Sequence, residues 1–216
     1  MMESILAAVP AFGVGWLAVA RQHALYREAE FRDTRAAGRK AMLLRGSAGL
    51  ALAIIAVVAF WPDRLDAAEA AFTTAFGAIF VVLAATDLDR RRIPDRLSLP
   101  AMALALALTP VWDGHGLIDA LAGAGFGLGL GVVFFAVGLL AGPSGGFGLG
   151  DVKLMALAGL VLGWPDVMPA LFVGILLAGG AAFVLVLRGR GKSSYAYGPY
   201  LVAGTLLVLL WPAQFA

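Results

Sequence analysis

The sequence predicts an all-α protein, a polytopic transmembrane helical bundle of about eight spans. Of the 216 residues, 61% are hydrophobic and only 14% are charged, whereas a soluble domain usually carries about 25% charged residues. The mean hydropathy is +0.89. So few polar side chains cannot cover a water-facing surface, and lipid must therefore be the solvent for most of the chain.

Eight apolar runs, separated by charged breaks, correspond to the predicted helices. A span needs about 20 apolar residues, or somewhat fewer where interfacial side chains flank it. We predict spans near 4–20, 43–61, 68–86, 97–112, 117–141, 152–165, 167–187 and 199–213. The runs 97–112 and 152–165 are short and also fit half-buried or re-entrant helices. We expect two units: an N-terminal two-span region with a short basic loop (1–66) and a core of about six spans (67–216).

The basic residues predict the orientation of the bundle. All but one of the 16 Lys and Arg residues fall in breaks on one side of the predicted spans, and Arg64 is the exception. Because cytoplasmic loops of membrane proteins are enriched in Lys and Arg, this side should face the cytoplasm and both termini should face outward. The basic loop 21–42 then lies against anionic lipid. In this arrangement the cations set topology, and no nucleic-acid partner is expected.

The residue counts also exclude several chemistries. The chain has no cysteine, which removes disulfides, thiolate zinc sites and cysteine nucleophiles. Only two histidines are present, so a histidine-rich metal centre is not expected. Glycine is abundant, and Gly123, Gly127 and Gly131 recur every four residues. Such spacing predicts a face where two membrane helices pack closely.

The first polar interruption is TDLDRRRIPD at 86–95. Asp87 ends an apolar run, and an ionisable group that close to lipid is a functional candidate by default. Pro94 stops helical continuation, and Asp95 can cap the helix that follows. For Asp89 and Asp95 the simpler explanation is solvation among lipid headgroups and helix capping. For Asp87 a catalytic role is favoured.

The second interruption is GGFGLGD at 145–151. Gly148 and Gly150 precede Asp151, and they let a partner or an extended peptide approach its carboxylate because glycine has no side chain. The structural alternative is a flexible loop in which Asp151 caps the next helix. A nucleotide-binding loop is disfavoured, because the spacing lacks the G-x-G-x-x-G pattern and no strand precedes it.

Two isolated carboxylates on different helices, at one membrane face, suggest a catalytic dyad of Asp87 and Asp151. Two carboxylates within about 3 Å of each other share a proton, since both cannot ionise cheaply. One can then activate water for attack on a peptide carbonyl while the other donates a proton. The proton belongs to the pair, so neither role is assigned to one residue. The chemistry needs no metal and no cofactor.

The two motifs, with a third at YAYGPYLVAG (195–204), resemble the prepilin peptidases, which are type IV leader peptidases of the GxGD class. The resemblance covers about residues 70–213. It rests on the order and spacing of an Asp followed by Pro-Asp, a Gly-rich GxGD-V-K-L segment, and a late aromatic-Gly-Pro-aromatic segment. The resemblance implies a membrane aspartic endopeptidase in the bacterial inner membrane, with Asp87 and Asp151 as the catalytic pair.

The resemblance also implies a substrate and supporting residues. The substrates would be type IV prepilins or pseudopilins with a basic leader, cut at the cytoplasmic face. The supporting or substrate-binding residues would be Pro94, Asp95, Gly148, Gly150, Lys153, Gly198 and Pro199. For Lys153, an inner-face cation that reaches toward the headgroups is an equal alternative. Whether the chain forms a homo-oligomer stays open.

One departure and three rival functions remain. Long members of the family carry a cysteine-paired cytoplasmic domain and also methylate the new N-terminus, whereas the corresponding stretch here is short and cysteine-free. N-methyltransferase activity is therefore doubtful. The rivals are an ion- or proton-coupled transporter that uses the same aspartates, a non-catalytic assembly subunit, and a presenilin-like protease that cuts inside substrate helices.

Overall fold

The computed structural model describes residues 2–21, 39–62, 64–109, 115–140, 147–189 and 196–211, and these form eight α-helices with no strand among them. The helices are α1 (Met2–Ala20), α2 (Arg39–Ala59), α3 (Ala67–Arg90), α4 (Asp95–Leu108), α5 (Leu117–Leu140), α6 (Leu149–Leu162), α7 (Val167–Leu187) and α8 (Gly198–Leu210). Each falls on one of the eight predicted apolar runs, which confirms the all-α prediction. Most of the basic loop 21–42 lies outside the described residues, as do Gly145 and Gly146.

The helices differ in length in a way that bears on the membrane. By length and composition, α2, α3, α5 and α7 can each cross a bilayer, while the other four are shorter. On α7, the large apolar side chains Phe172, Leu176 and Phe183 are well exposed. Exposure of such an apolar surface to water costs free energy, whereas contact with lipid does not. The chain is therefore a membrane protein. Helices α4 and α6 have 14 residues each, as their short apolar runs suggested.

Helix α6 lies at the centre of the core. From Asp151 to Leu162 every residue except Lys153 is buried, so the helix is enclosed on all sides. Its neighbour α5 makes this enclosure close. Gly123, Gly127 and Gly131 of α5 are buried, and a methyl group at Gly127 would collide with the carbonyl oxygen of Met155 in α6. The predicted glycine packing face is confirmed, and its partner is the helix that carries Asp151.

Helix α3 belongs to both apolar clusters found among the described residues. One cluster contains Phe76, Phe80 and Leu83 of α3 together with residues of α4 to α8. The other contains Val81 and Ala85 of α3 with residues of α1 and α2. Because α3 is packed on both faces, it connects α1 and α2 to the rest of the core. The division of the chain at residue 66 stays a prediction.

Arg64, the exception to the charge pattern, stabilises the end of the bundle away from the two motifs. Its guanidinium donates a hydrogen bond to the carbonyl oxygen of Leu210, the last residue of α8. The same group lies 4.9 Å from the ring centroid of Trp211. A cation at a helix C-terminus is favoured by the helix dipole, and a cation over a tryptophan ring gains further attraction. Arg64 thus has a structural explanation.

The glycine face predicts a large difference between neighbouring substitutions on α5. Gly127→Ala should destabilise the protein by about 1–3 kcal/mol, because the added methyl meets rigid backbone rather than a flexible side chain. Gly129→Ala is the matched control, since no atom lies within 4 Å of a methyl group there. Thermal unfolding in detergent micelles measures both variants. Equal melting temperatures for the two would contradict the packing described for α5 and α6.

Candidate active site

Asp87 lies in the last turn of α3, and its residue surface is only 5% exposed. The helix ends just beyond it, where Arg91 adopts the left-handed conformation (φ 53°) and donates its backbone N–H to the carbonyl oxygen of Asp87. The carboxylate Oδ2 accepts a hydrogen bond of 2.9 Å from the backbone N–H of Gly198. Gly198 is the first residue of α8, so the N-terminal end of that helix points at the carboxylate. A helix N-terminus favours negative charge.

Asp151 lies in the first turn of α6 and is 7% exposed. Its Oδ2 accepts a hydrogen bond of 3.0 Å from the backbone N–H of Gly148, three residues earlier. This is the carboxylate half of a helix capping box, which satisfies a donor left free at the start of the helix. The N-cap is Gly148 and not Asp151, so the structural alternative named the wrong residue, although the Asp151 carboxylate does bind the start of its helix. One hydrogen bond of this kind leaves acceptor capacity on the carboxylate for other partners.

The two carboxylates face one cavity of about 260 Å³. Its wall combines the first motif, through Asp87 and the segment 91–93, with the second motif, through residues 148–151. Arg91, Arg92 and Lys153 supply cations to the same wall. Two buried acids from motifs 64 residues apart in sequence thus share one space at one end of the bundle. That space is large enough for several water molecules.

The segment after Asp87 is held against the N-terminal end of α6 by two contacts. Ile93 is 8% exposed, and a methyl group at Gly150 would lie 3.2 Å from its Cβ. Asp95, at the start of α4, accepts an ion-paired hydrogen bond of 2.6 Å from Nζ of Lys153. The two motifs therefore touch each other directly, through one apolar and one charged contact.

Some of the predicted supporting residues line the cavity, and the others lie outside it. Gly148, Gly150 and Lys153 belong to the cavity wall. Asp95 pairs with Lys153, and Pro94 precedes α4 in an extended conformation. Gly198 donates its backbone N–H to Asp87 and is not part of the cavity wall. Pro199 is separate, since it lines an apolar groove of about 210 Å³ between α2, α3 and α8.

Asp89 differs from its expected position. Its side chain is only 4% exposed and pairs with Lys40 of α2 at 3.2 Å, so it is not simply solvated among headgroups. No local pattern predicts this pair, because the two residues are 49 positions apart. The pair links the start of α2 to the end of α3. It does not involve the cavity wall.

Two residues of the cavity wall, Arg91 and Ile93, are not predicted by the sequence. A left-handed backbone is uncommon for a residue other than glycine, so nothing in the type of Arg91 suggests that it ends α3. Ile93 carries a weak signal, because the residue before a proline favours an extended conformation that stops a helix. Its packing partner Gly150 is visible only in three dimensions.

A metal site is not evident in the described part of the chain. No group of three or more His, Asp or Glu side chains there could hold a metal ion. The arrangement instead offers two carboxylates, backbone donors to each, and a cavity between them. Such a pair can activate water and donate a proton.

The chain is similar to known proteins over the region that forms this site. It is 37% identical over 132 residues to the prepilin leader peptidase/N-methyltransferase of Pseudomonas aeruginosa, which covers 59% of this chain and 45% of that protein. The proteins of the same name from Bacillus subtilis (strain 168) and Escherichia coli (strain K12) are each 33% identical, over 142 and 143 residues. Those matches cover 63% and 62% of this chain, and 54% and 62% of the respective relative.

The chain spans about half the length of the curated relatives it matches. No solved structure matches it. The model of the type IV leader peptidase family matches residues 74–184, a range that contains both aspartate motifs and just over half of the 216 residues. On this match, the chain belongs to the type IV leader peptidase family.

Proposed function

We propose that this protein is a membrane-embedded aspartic endopeptidase that cleaves leader peptides from type IV prepilins or pseudopilins. The observation that carries the proposal is the shared cavity. Asp87 and Asp151, each buried and each from a different motif of the family match, line the same space. The names of the relatives supply the substrate class, since they are prepilin leader peptidases.

In the proposed reaction the aspartates act as one acid–base pair. One carboxylate takes a proton from water, and the resulting nucleophile attacks the scissile carbonyl carbon. The other, protonated carboxyl donates its proton to the carbonyl oxygen, and the tetrahedral intermediate collapses as the amine leaves with a proton. The Gly198 and Gly148 N–H groups hold the two carboxylates in place. Fixed donors of this kind reduce the reorganisation that the reaction requires.

The site is proposed to lie at the cytoplasmic face of the bacterial inner membrane. The charge pattern supports this orientation. Lys40, Arg91 and Lys153 all lie at the end of the bundle that holds the cavity, whereas Arg64 lies at the other end. An enrichment in Lys and Arg is typical of the cytoplasmic side. A substrate with its leader in the cytoplasm would reach the cavity from that side.

Incubation of the purified full chain with a synthetic prepilin peptide that contains the leader, the cleavage site and the apolar segment after it tests the function. Mass spectrometry should show one cut at the leader boundary. Cuts inside the apolar segment would instead indicate a presenilin-like protease. No cleavage combined with ion or proton flux in liposomes would replace the peptidase by a transporter.

The same experiment, with S-adenosylmethionine added, tests methyl transfer. The relatives are named as N-methyltransferases as well as peptidases. We propose that this chain cleaves without methylating, because the stretch after its first helix is short and lacks cysteine. The product that carries the new N-terminus should therefore keep its unmodified mass. A gain of one methyl group would overturn this part of the proposal and leave the peptidase assignment intact.

A further inference from the structure

The ion pair between Lys153 and Asp95 joins the two halves of the site. Lys153 is the fifth residue of α6, two residues after Asp151, and Asp95 is the first residue of α4. The Nζ–Oδ1 distance of 2.6 Å is short even for a charge-assisted hydrogen bond. The pair therefore connects the helix that carries one proposed catalytic acid to the segment that follows the other.

The position of this pair gives it little value for stability. The side chains of Lys153 and Asp95 are 36% and 57% exposed. Exposed ion pairs contribute little to folding stability. The apolar contact beside it, between Ile93 and Gly150, is buried and contributes packing, whereas the ion pair fixes Asp95 beside Lys153. We therefore expect the ion pair to restrict the position of Asp95 relative to α6 more than it stabilises the fold.

The segment it restricts is directly attached to Asp87. From Asp87 the chain passes through the left-handed Arg91 and the buried Ile93 to Asp95 within eight residues. Arg91 to Ile93 form part of the cavity wall, as does Lys153. A shift of Asp95 relative to α6 would move this wall and the last turn of α3 relative to Asp151.

We propose that Lys153 and Asp95 are positioning residues, and that their ion pair sets the separation of Asp87 and Asp151 across the cavity. This inference rests on the proposed peptidase function. Neither residue takes part in the acid–base chemistry. Since misplacement of catalytic groups by about 1 Å can cost 100-fold in rate, a pair with little effect on folding can still control turnover.

Steady-state kinetics on a prepilin peptide tests the proposal. Lys153→Gln and Asp95→Asn should each lower kcat by about tenfold, with KM and melting temperature nearly unchanged. The double variant should be no slower than either single variant, because both remove the same interaction. Lys153→Arg keeps the pair and should retain most of the activity. Additive losses, or wild-type kcat in Lys153→Gln, would overturn the proposal.

A rise in KM without a fall in kcat would also overturn it. Lys153 lines the cavity, and that result would make it a substrate contact instead of a positioning residue. Lys40→Gln is the matched control. Lys40 also forms an ion pair next to the first motif, with Asp89 at 3.2 Å, but lies outside the cavity wall. Its loss should leave both kinetic constants near those of the wild type.

Cross-linking gives a readout that does not depend on a rate. The chain has no cysteine, so the double variant Asp95→Cys/Lys153→Cys presents one pair of thiols. A short bifunctional thiol-reactive linker should join them. The cross-linked protein should be more active than the same variant before cross-linking. Linking without recovery of activity would contradict a positioning role.

Failure of this inference is separate from failure of the peptidase assignment. If Asp87→Asn is inactive while Lys153→Gln behaves like the wild type, the dyad stands and the positioning pair does not. If the wild-type chain cleaves no leader peptide while the linker still joins the thiols, the proposed function is wrong and the contact between the motifs is real.

Discussion

Asp87→Asn and Asp151→Asn should each lower cleavage of a leader peptide by at least about a thousandfold, the range in which loss of a general acid or base falls. Asparagine keeps the size of the side chain and can still accept the hydrogen bond from Gly198 or Gly148. It cannot take a proton from water. Both variants should therefore insert, fold and retain their melting temperatures, and quantification of peptide fragments by mass spectrometry measures the loss.

Asp89→Asn is the matched control for this experiment. Asp89 is two residues from Asp87 on the same helix and is also an acid with a mostly buried side chain. It pairs with Lys40 and does not line the cavity. The cleavage rate of this variant should stay within a few-fold of the wild-type rate, because the change lies outside the cavity. Full activity in Asp87→Asn or Asp151→Asn would refute the dyad.

Gly198→Ala should have the next largest effect, a fall in kcat of about a hundredfold, because the catalytic carboxylate must move. A methyl group at this position would lie 2.7 Å from Oδ2 of Asp87 and 3.1 Å from its Cβ. Both the residue and the carboxylate are buried, so relief requires displacement of the aspartate or of the α8 N-terminus. Either movement breaks the hydrogen bond from Gly198. The kinetic constants and the melting temperature should be measured together.

Gly180→Ala in α7 provides the comparison, since a methyl group there has no atom within 4 Å. It should cleave at the wild-type rate. If Gly198→Ala loses activity only because the protein unfolds, its melting temperature falls and the role assigned to this glycine is not supported. If it keeps full kcat, the position of Asp87 does not depend on Gly198.

The fold could be predicted largely because apolar runs of membrane length are unambiguous. Each predicted run contains one helix, and the run 152–165 was recognised as short. The four-residue spacing of Gly123, Gly127 and Gly131 predicted a close helix contact, and α5 forms one. What the spacing could not identify was the partner. The enclosure of α6 depends on all its neighbours at once, and a single run of apolar residues looks the same whether lipid or protein surrounds it.

The site was predictable as a set of residues and only partly as a geometry. Asp87 and Asp151 stood out because each is a carboxylate at the edge of an apolar run. Their common cavity follows from the bundle that brings α3 and α6 together. The contacts of Asp95 with Lys153 and of Ile93 with Gly150 join residues 57 or more positions apart. Such pairs leave no local pattern in one sequence. The expectation that Asp89 is solvated among headgroups was wrong for the same reason, since its partner Lys40 belongs to another helix.

Both proposed catalytic aspartates accept a hydrogen bond from a backbone N–H group, that of Gly198 for Asp87 and that of Gly148 for Asp151. A main-chain amide is present whatever the side chain, unless the residue is proline. Exchange of a neighbouring side chain therefore cannot delete either donor; it can only displace it. The amide also has no proton to gain or lose in the range where the protein is folded. The two donors therefore add no ionisation of their own to the dependence of rate on pH, although each bond is stronger when the carboxylate that accepts it is ionised.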